Sequence, residues 1–272
     1  MSQSKVNSSI VIAGALLVSL NAQAANWSDT SIGIRHGERF AEPGAGPRIT
    51  KSMFNFTHVG GDSYGGNYFT VDTIVSDSQD HAVEGTDGAQ EIYGFYQRTV
   101  PFSVLGVNAR TYDYLSQISV LARVDLGSKN TAFGSRPRKY RLGFEIPVPI
   151  TTGFWSFSVA GYKETNYNGF TGQAVSFDPT WSVGSAWSIP LGPGSFGGFV
   201  SATGAKGKDG FGNETKTELM ARVTYLVDIA GSGFNVGVGY QAWRNMFGND
   251  ESLDSTGGSR ESAPMLMTEY HF

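Results

Sequence analysis

Apolar and polar residues alternate with a period of two along most of the chain, and helix-period apolar stripes are missing after residue 25. Successive side chains of a strand point to opposite faces of its sheet, so each alternating run defines one apolar and one polar face. Tyr140, Leu142, Phe144 and Ile146 oppose Arg141, Gly143 and Glu145, while Ile118, Val120, Ala122 and Val124 oppose Ser119, Leu121, Arg123 and Asp125. Trp155, Phe157 and Val159 likewise oppose Ser156, Ser158, Ala160 and Tyr162, and Phe69, Val71 and Val75 oppose Tyr68, Thr70 and Asp72. Phe177, Trp181, Val183, Trp187 and Ile189 oppose Asp178, Thr180, Ser182 and Ser188, and Leu219, Ala221, Val223 and Tyr225 oppose Glu218, Met220, Arg222 and Thr224. The segments Glu91 to Thr99 and Ser195 to Gly204 carry aromatic, small and polar residues on both faces and take no assignment.

Twelve such segments are present. The pattern predicts an all-β protein, a twelve-stranded antiparallel transmembrane β-barrel with short periplasmic turns and longer external loops. A sheet in hydrocarbon must close, because every backbone polar group there needs a partner, and single-chain bacterial barrels have even strand numbers. Link lengths agree. If the first strand rises from the periplasm, the periplasmic links are Gly60 to Gly65, Val100 to Leu115, Pro147 to Gly153, Pro190 to Gly194 and Asp228 to Gly233, all tight except the second. The alternate set is longer and polar: Phe40 to Thr50, Asp77 to Gly88, Gly127 to Pro137, Asn166 to Gln173, Ala205 to Asn213 and Asn245 to Ala263. A soluble two-sheet sandwich also alternates and stays open as the rival architecture.

The N-terminus adds weight to the membrane reading. Lys5, the apolar run Ile10 to Leu20 and Ala22-Gln23-Ala24 form an export-signal pattern, so residues 1–24 are expected to be removed and residues 25–272 to form one barrel. Ile10 to Leu20 is shorter than the about 20 apolar residues that a membrane helix needs. Loss of Lys5 from the 20 basic residues leaves 19 against 24 acidic ones, a net charge of −5 with no basic stripe, which disfavours nucleic acid as a partner. Cysteine is absent, which excludes disulfides and thiolate chemistry. Glycine, at 36 of 272 residues, exceeds the usual share of roughly 7%, as expected where strands curve and crowd.

Pro264 to Phe272 alternates to its last residue, with Leu266, Thr268, Tyr270 and Phe272 on one face and Met265, Met267, Glu269 and His271 on the other. A strand ending in this way resembles the closing strand of bacterial outer-membrane barrels, and the resemblance implies delivery by barrel-assembly machinery. Three further stretches carry a more specific likeness. They are Arg39-Phe40, Val124-Asp125-Leu126-Gly127-Ser128-Lys129-Asn130 leading into Tyr140 to Glu145, and Gly233-Phe234-Asn235-Val236 through Tyr240-Gln241-Ala242-Trp243. In order and spacing they resemble the Tsx-like family of nucleoside-specific outer-membrane channels. That resemblance implies a monomer with a narrow lumen that passes nucleosides, without a cofactor.

On the assigned faces the acids Asp72, Asp125, Glu145, Glu164, Asp178, Glu218 and Glu269 point inward against Arg123, Arg141 and Arg222. Charges inside a pore select through their field and hydrogen bonds. This balance predicts passage of neutral or cationic solutes ahead of phosphorylated ones. A nucleoside needs a π-face, for which Tyr68, Tyr162 and Phe40 are candidates, and partners for its sugar, for which Arg39, Asp125, Arg141 and Glu145 are candidates. The same polar groups can instead satisfy one another, Arg141 with Glu145 or Arg123 with Asp125. Lys163 falls on the lipid face, its stem on apolar surface and its amine toward headgroup phosphate or loop water.

Catalysis finds little support. Of His36, His58, His81 and His271 only His36 is placed near the external rim, and no Gly-x-Ser-x-Gly or His-Glu-x-x-His motif occurs. The carboxylates Asp77, Asp80, Glu84 and Asp87 share one loop without the EF-hand spacing and read as a solvated acidic loop, not a metal site. Two other roles remain open. A plugged structural or adhesive barrel would use exposed loop aromatics such as Phe170, Phe211 and Phe247, and a channel for fatty or aromatic compounds would need an apolar interior.

Overall fold

The computed structural model describes residues 25–85, 87–107 and 113–272, so the export segment 1–24 lies outside the described residues. The strands are β1 (Trp27–Glu42), β2 (Gly46–Asp62), β3 (Gly65–Ser76), β4 (Gln90–Pro101), β5 (Ser119–Lys129), β6 (Arg138–Pro147), β7 (Phe154–Asn168), β8 (Gln173–Ser176), β9 (Thr180–Leu191), β10 (Gly194–Thr203), β11 (Glu218–Asp228), β12 (Phe234–Arg244) and β13 (Glu261–His271). A short helix, α1 (Asp113–Gln117), lies between β4 and β5. Each strand pairs antiparallel with its neighbours in the chain, except that β7 passes over to β9, and β13 pairs with both β12 and β1. β8 pairs with β7 alone, at one end. The result is a closed twelve-stranded antiparallel barrel, which rules out the two-sheet sandwich.

Closure explains the composition. Ile32, Ile34, Phe54, Phe56, Leu142, Phe144, Phe157 and Leu266 all lie outward and exposed, in a continuous apolar band with Trp27, Tyr64, Trp155, Tyr270 and Phe272 at one rim. Such a surface would aggregate in water and matches hydrocarbon flanked by an aromatic girdle. The assigned inward faces of β3, β5, β6, β7, β11 and β13 are all observed inward. Glycine is needed where strands crowd: a Cβ on Gly143 would lie 2.1 Å from the Val159 carbonyl oxygen and 2.5 Å from the Ala160 Cα.

The structure revises three expectations. The first external connection is a tight turn over residues 43–45, closed by the Ala45 N–H donating to the Glu42 carbonyl at 3.1 Å, because β1 and β2 run on past the rim. Phe177 and Asp178 do not continue the faces of β9. Pro179 has no N–H for a ladder, so β9 begins at Thr180, with Phe177 buried and Asp178 exposed. Lys163 does face outward, but its amine donates to the Phe177 carbonyl.

Candidate functional site

The closed sheet encloses a polar lumen, and strand pairing dictates its wiring. On β5 and β6, Arg123 lies directly opposite Arg141, and Asp125 opposite Lys139. Two like charges facing each other across a ladder repel unless a counter-charge lies between them. Asp125 supplies it, accepting from Arg123 Nε at 2.9 Å and Nη2 at 2.7 Å, from Arg141 Nη1 at 2.8 Å and from the Tyr93 hydroxyl at 2.7 Å. Its side chain is 0% exposed, so every lone pair is spent within the wall.

Toward the long-loop end the lumen is filled. Lys51 Nζ lies 2.5 Å from Glu42 Oε1, and Lys129 Nζ joins Glu42 at 2.9 Å and Asp80 at 2.8 Å. Lys206, from the link between β10 and β11, folds inward over the Phe177 ring at 4.2 Å and contacts the Glu164 carboxylate. Beside this ionic layer Phe40, Ile49, Met53, Ala263, Met265 and Met267 form an apolar cluster on the β1, β2 and β13 wall.

Toward the short-link end the interior is reachable. Tyr68 is 38% exposed and meets Phe95 edge-on, centroids 4.8 Å apart, and the Arg123 guanidinium lies 3.4 Å from the Phe95 centroid. Gln97 Nε2 donates to Glu145 at 3.3 Å. In ring order β10 lies across from β3, and it faces inward with Ser195, Gly197, Phe199 and Ser201, while β9 adds Gly184, Ala186 and Ser188. Phe199 apart, the inward side chains of this wall are short, against Tyr68, Phe95 and Gln97 on the facing wall.

Of the site residues expected from sequence, Tyr68 and Glu145 stand at this end of the lumen. Asp125 and Arg141 are tied to each other, and Arg141 pairs with Asp125 instead of Glu145. Tyr162 points inward but is 3% exposed, its hydroxyl donating to Glu164 at 2.6 Å and its face covered by Arg141 at 5.0 Å, so it offers no stacking surface. Arg39 and Phe40 do not share the mouth. Register shifts between Gly37 and Ala41 mark a bulge, which turns Phe40 into the apolar cluster and leaves Arg39 exposed.

The expected acidic excess is also revised. Arg35, Lys51, Lys129, Lys139 and Lys206 join the interior bases, Glu42, Asp80, Glu91 and Glu261 join the acids, and Asp178 leaves them. Sequence reasoning passed over Phe95 and Gln97 because β4 carries Tyr93 and Phe95 inward and Tyr96 outward, which blurs its two faces.

No protein-family model matches the chain, and no curated protein matches it. Among solved structures, the KdgM porin superposes with a TM-score of 0.46 at 11% identity, over 89% of this chain and 99% of that one. The translocator domain of the autotransporter NalP from Neisseria meningitidis gives 0.48 at 11% identity, over 93% and 90%. A bacterial polysaccharide outer-membrane secretin gives 0.40 at 9% identity, over 92% and 100%.

Proposed function

We propose that this chain is a passive channel of the bacterial outer membrane for small polar solutes, with nucleosides the first class to test. The observation that carries the reading is the half-exposed Tyr68 ring, which stands beside Phe95 and opposite Gln97, itself bonded to Glu145, inside a barrel whose outer surface suits lipid. A planar base stacks on an aromatic face for about 1–3 kcal/mol, and amide and carboxylate groups beside it can bond sugar hydroxyls. The long-loop end then faces outside and the short-link end the periplasm. The likeness of residues 124–130 and 233–243 to Tsx-like channels supports the same solute, a monomer, and delivery by barrel-assembly machinery through the C-terminal strand.

The test is single-channel current in planar bilayers with added uridine or adenosine. Saturable block is expected, and Tyr68→Ala should weaken it about 5- to 150-fold, the equivalent of the stacking energy. Current that nucleosides leave untouched removes the nucleoside claim; absence of current from folded protein removes the channel.

The second reading, a barrel that binds partners through its loops, draws on one feature. Phe133, Phe170 and Phe211 come from three different links and cluster with centroids 6.0 to 6.4 Å apart, Phe170 and Phe211 being exposed.

A further inference from the structure

Arg222 stands apart from the other lumen arginines. Arg35 is paired with Asp72, while Arg123 and Arg141 are both paired with Asp125. Among the described residues no carboxylate forms an ion pair with Arg222. Its orientation is nevertheless fixed: Nε donates to Gln241 Oε1 at 2.7 Å, Gln241 in turn donates to Glu261 Oε1 at 2.6 Å, and the guanidinium lies 5.6 Å from the Phe199 centroid.

Arg35, Asp72, Glu261 and Tyr68 all act electrostatically on Arg222. Both carboxylates are already engaged. Asp72 sits 2.5 Å from Arg35 Nη2 and accepts from Asn55 Nδ2 at 2.6 Å. Glu261 accepts from Gln241 and, at 3.0 Å, from the Ala41 N–H. Arg35 itself is 8% exposed, and its Nε has no hydrogen-bond partner. Of these two guanidinium groups only that of Arg35 has an ion-paired carboxylate, and a buried charge without a paired counter-charge is costly.

We propose that Arg222, held by Gln241 beside Phe199, forms a subsite for one anionic group, a carboxylate or a phosphate, carried by a small solute in the lumen. The proposal rests on the channel reading and sharpens it. A guanidinium held at Nε presents its remaining N–H groups to an oxyanion in the geometry that favours paired, charge-assisted hydrogen bonds. Phosphorylated nucleosides and sugar acids then enter the same lumen as neutral ones and are held longer there.

The test measures binding to the folded full-length barrel in detergent micelles, using uridine against uridine monophosphate and glucose against glucuronate as paired probes. The anionic member of at least one pair should bind roughly 10- to 100-fold more tightly, the range for hydrogen bonds to a charged group, and Arg222→Gln should abolish that ratio. Preference for one pair alone identifies the anion that the subsite takes. Arg222→Lys keeps the charge without the fork and should retain part of the ratio, which covers the case in which Arg222→Gln does not fold. Equal affinities within both pairs, or a ratio undiminished in the folded variants, overturns the proposal. Channel block by uridine without any anion preference defeats this inference alone, whereas anion binding without current defeats the channel and leaves the subsite.

Discussion

Asp125→Asn is the substitution that most directly probes the wiring of the lumen. The amide nearly matches the carboxylate in size but removes the one negative charge between Arg123, Arg141 and Tyr93, and it turns an Nδ2 donor toward groups that are themselves donors. With Asp125 fully enclosed, solvent cannot replace the lost charge. Removing one partner of a buried ion pair costs about 3–5 kcal/mol. At an m-value of about 3 kcal/mol per molar urea, the unfolding midpoint in lipid vesicles should fall by about 1–1.7 M, followed by tryptophan fluorescence and by loss of the compact electrophoretic form. Arg123→Gln placed on top of Asp125→Asn should recover part of that loss, because it removes one of the two charges left uncompensated. A midpoint lowered by less than about 0.3 M would refute the view that Asp125 holds the two arginines together.

Gly143→Ala should cost about 1–3 kcal/mol in the same unfolding assay, since its Cβ would press on the Val159 carbonyl and Ala160 in the adjacent strand. An unchanged midpoint would show that β6 and β7 can separate locally. In the link between β12 and β13, burial pushes the Asp254 carboxyl up, but hydrogen bonds from Ser259 and Thr256 outweigh it and hold the group below the usual carboxylate range. A depressed carboxyl contributes stability that is complete above its unfolded value near about 4 and is lost as pH falls through the folded value. This loop should therefore become a faster pepsin target as pH is lowered from about 4 to 2. Asp254→Asn should open the bond after Arg260 to trypsin at neutral pH.

Strands were legible in the sequence wherever lipid and lumen impose opposite demands. Tyr140 to Ile146 and Leu219 to Tyr225 show the contrast at every position, and their faces follow from alternation alone. Alternation fails where the ladder itself is irregular. The bulge before Phe40 adds a residue, so parity counted from Ile32 and Ile34 assigns the wrong face beyond it. Pro179 hides a break between Phe177 and Trp181 that composition does not announce. The interior lysines were the larger omission. Lys51, Lys129 and Lys139 lie toward strand ends, where a lysine in sequence reads as a rim residue, and their burial depends on Glu42, Asp80 and groups across the lumen that only the closed ring brings near. Pairing consumed Asp125, Arg141 and Tyr162 for the same reason: a residue type can announce chemistry, but the neighbouring strand decides whether that chemistry is spare.

The seam between β1 and β13 has a consequence for how the molecule comes into being. Ile34 meets Thr268 there, and His271 Nδ1 lies 2.9 Å from Asp29, a contact spanning 242 positions of sequence. Every other strand of the ring can pair with a partner close behind it in the chain, but this seam must wait for the last strand to be made, and its closure carries the largest loop entropy of any pairing in the ring. Until then β1 offers a bare edge at one end of a growing curl of hairpins, open to a wrong partner. The vulnerable interval in this protein's life is therefore set by the time taken to deliver its final eleven-residue strand.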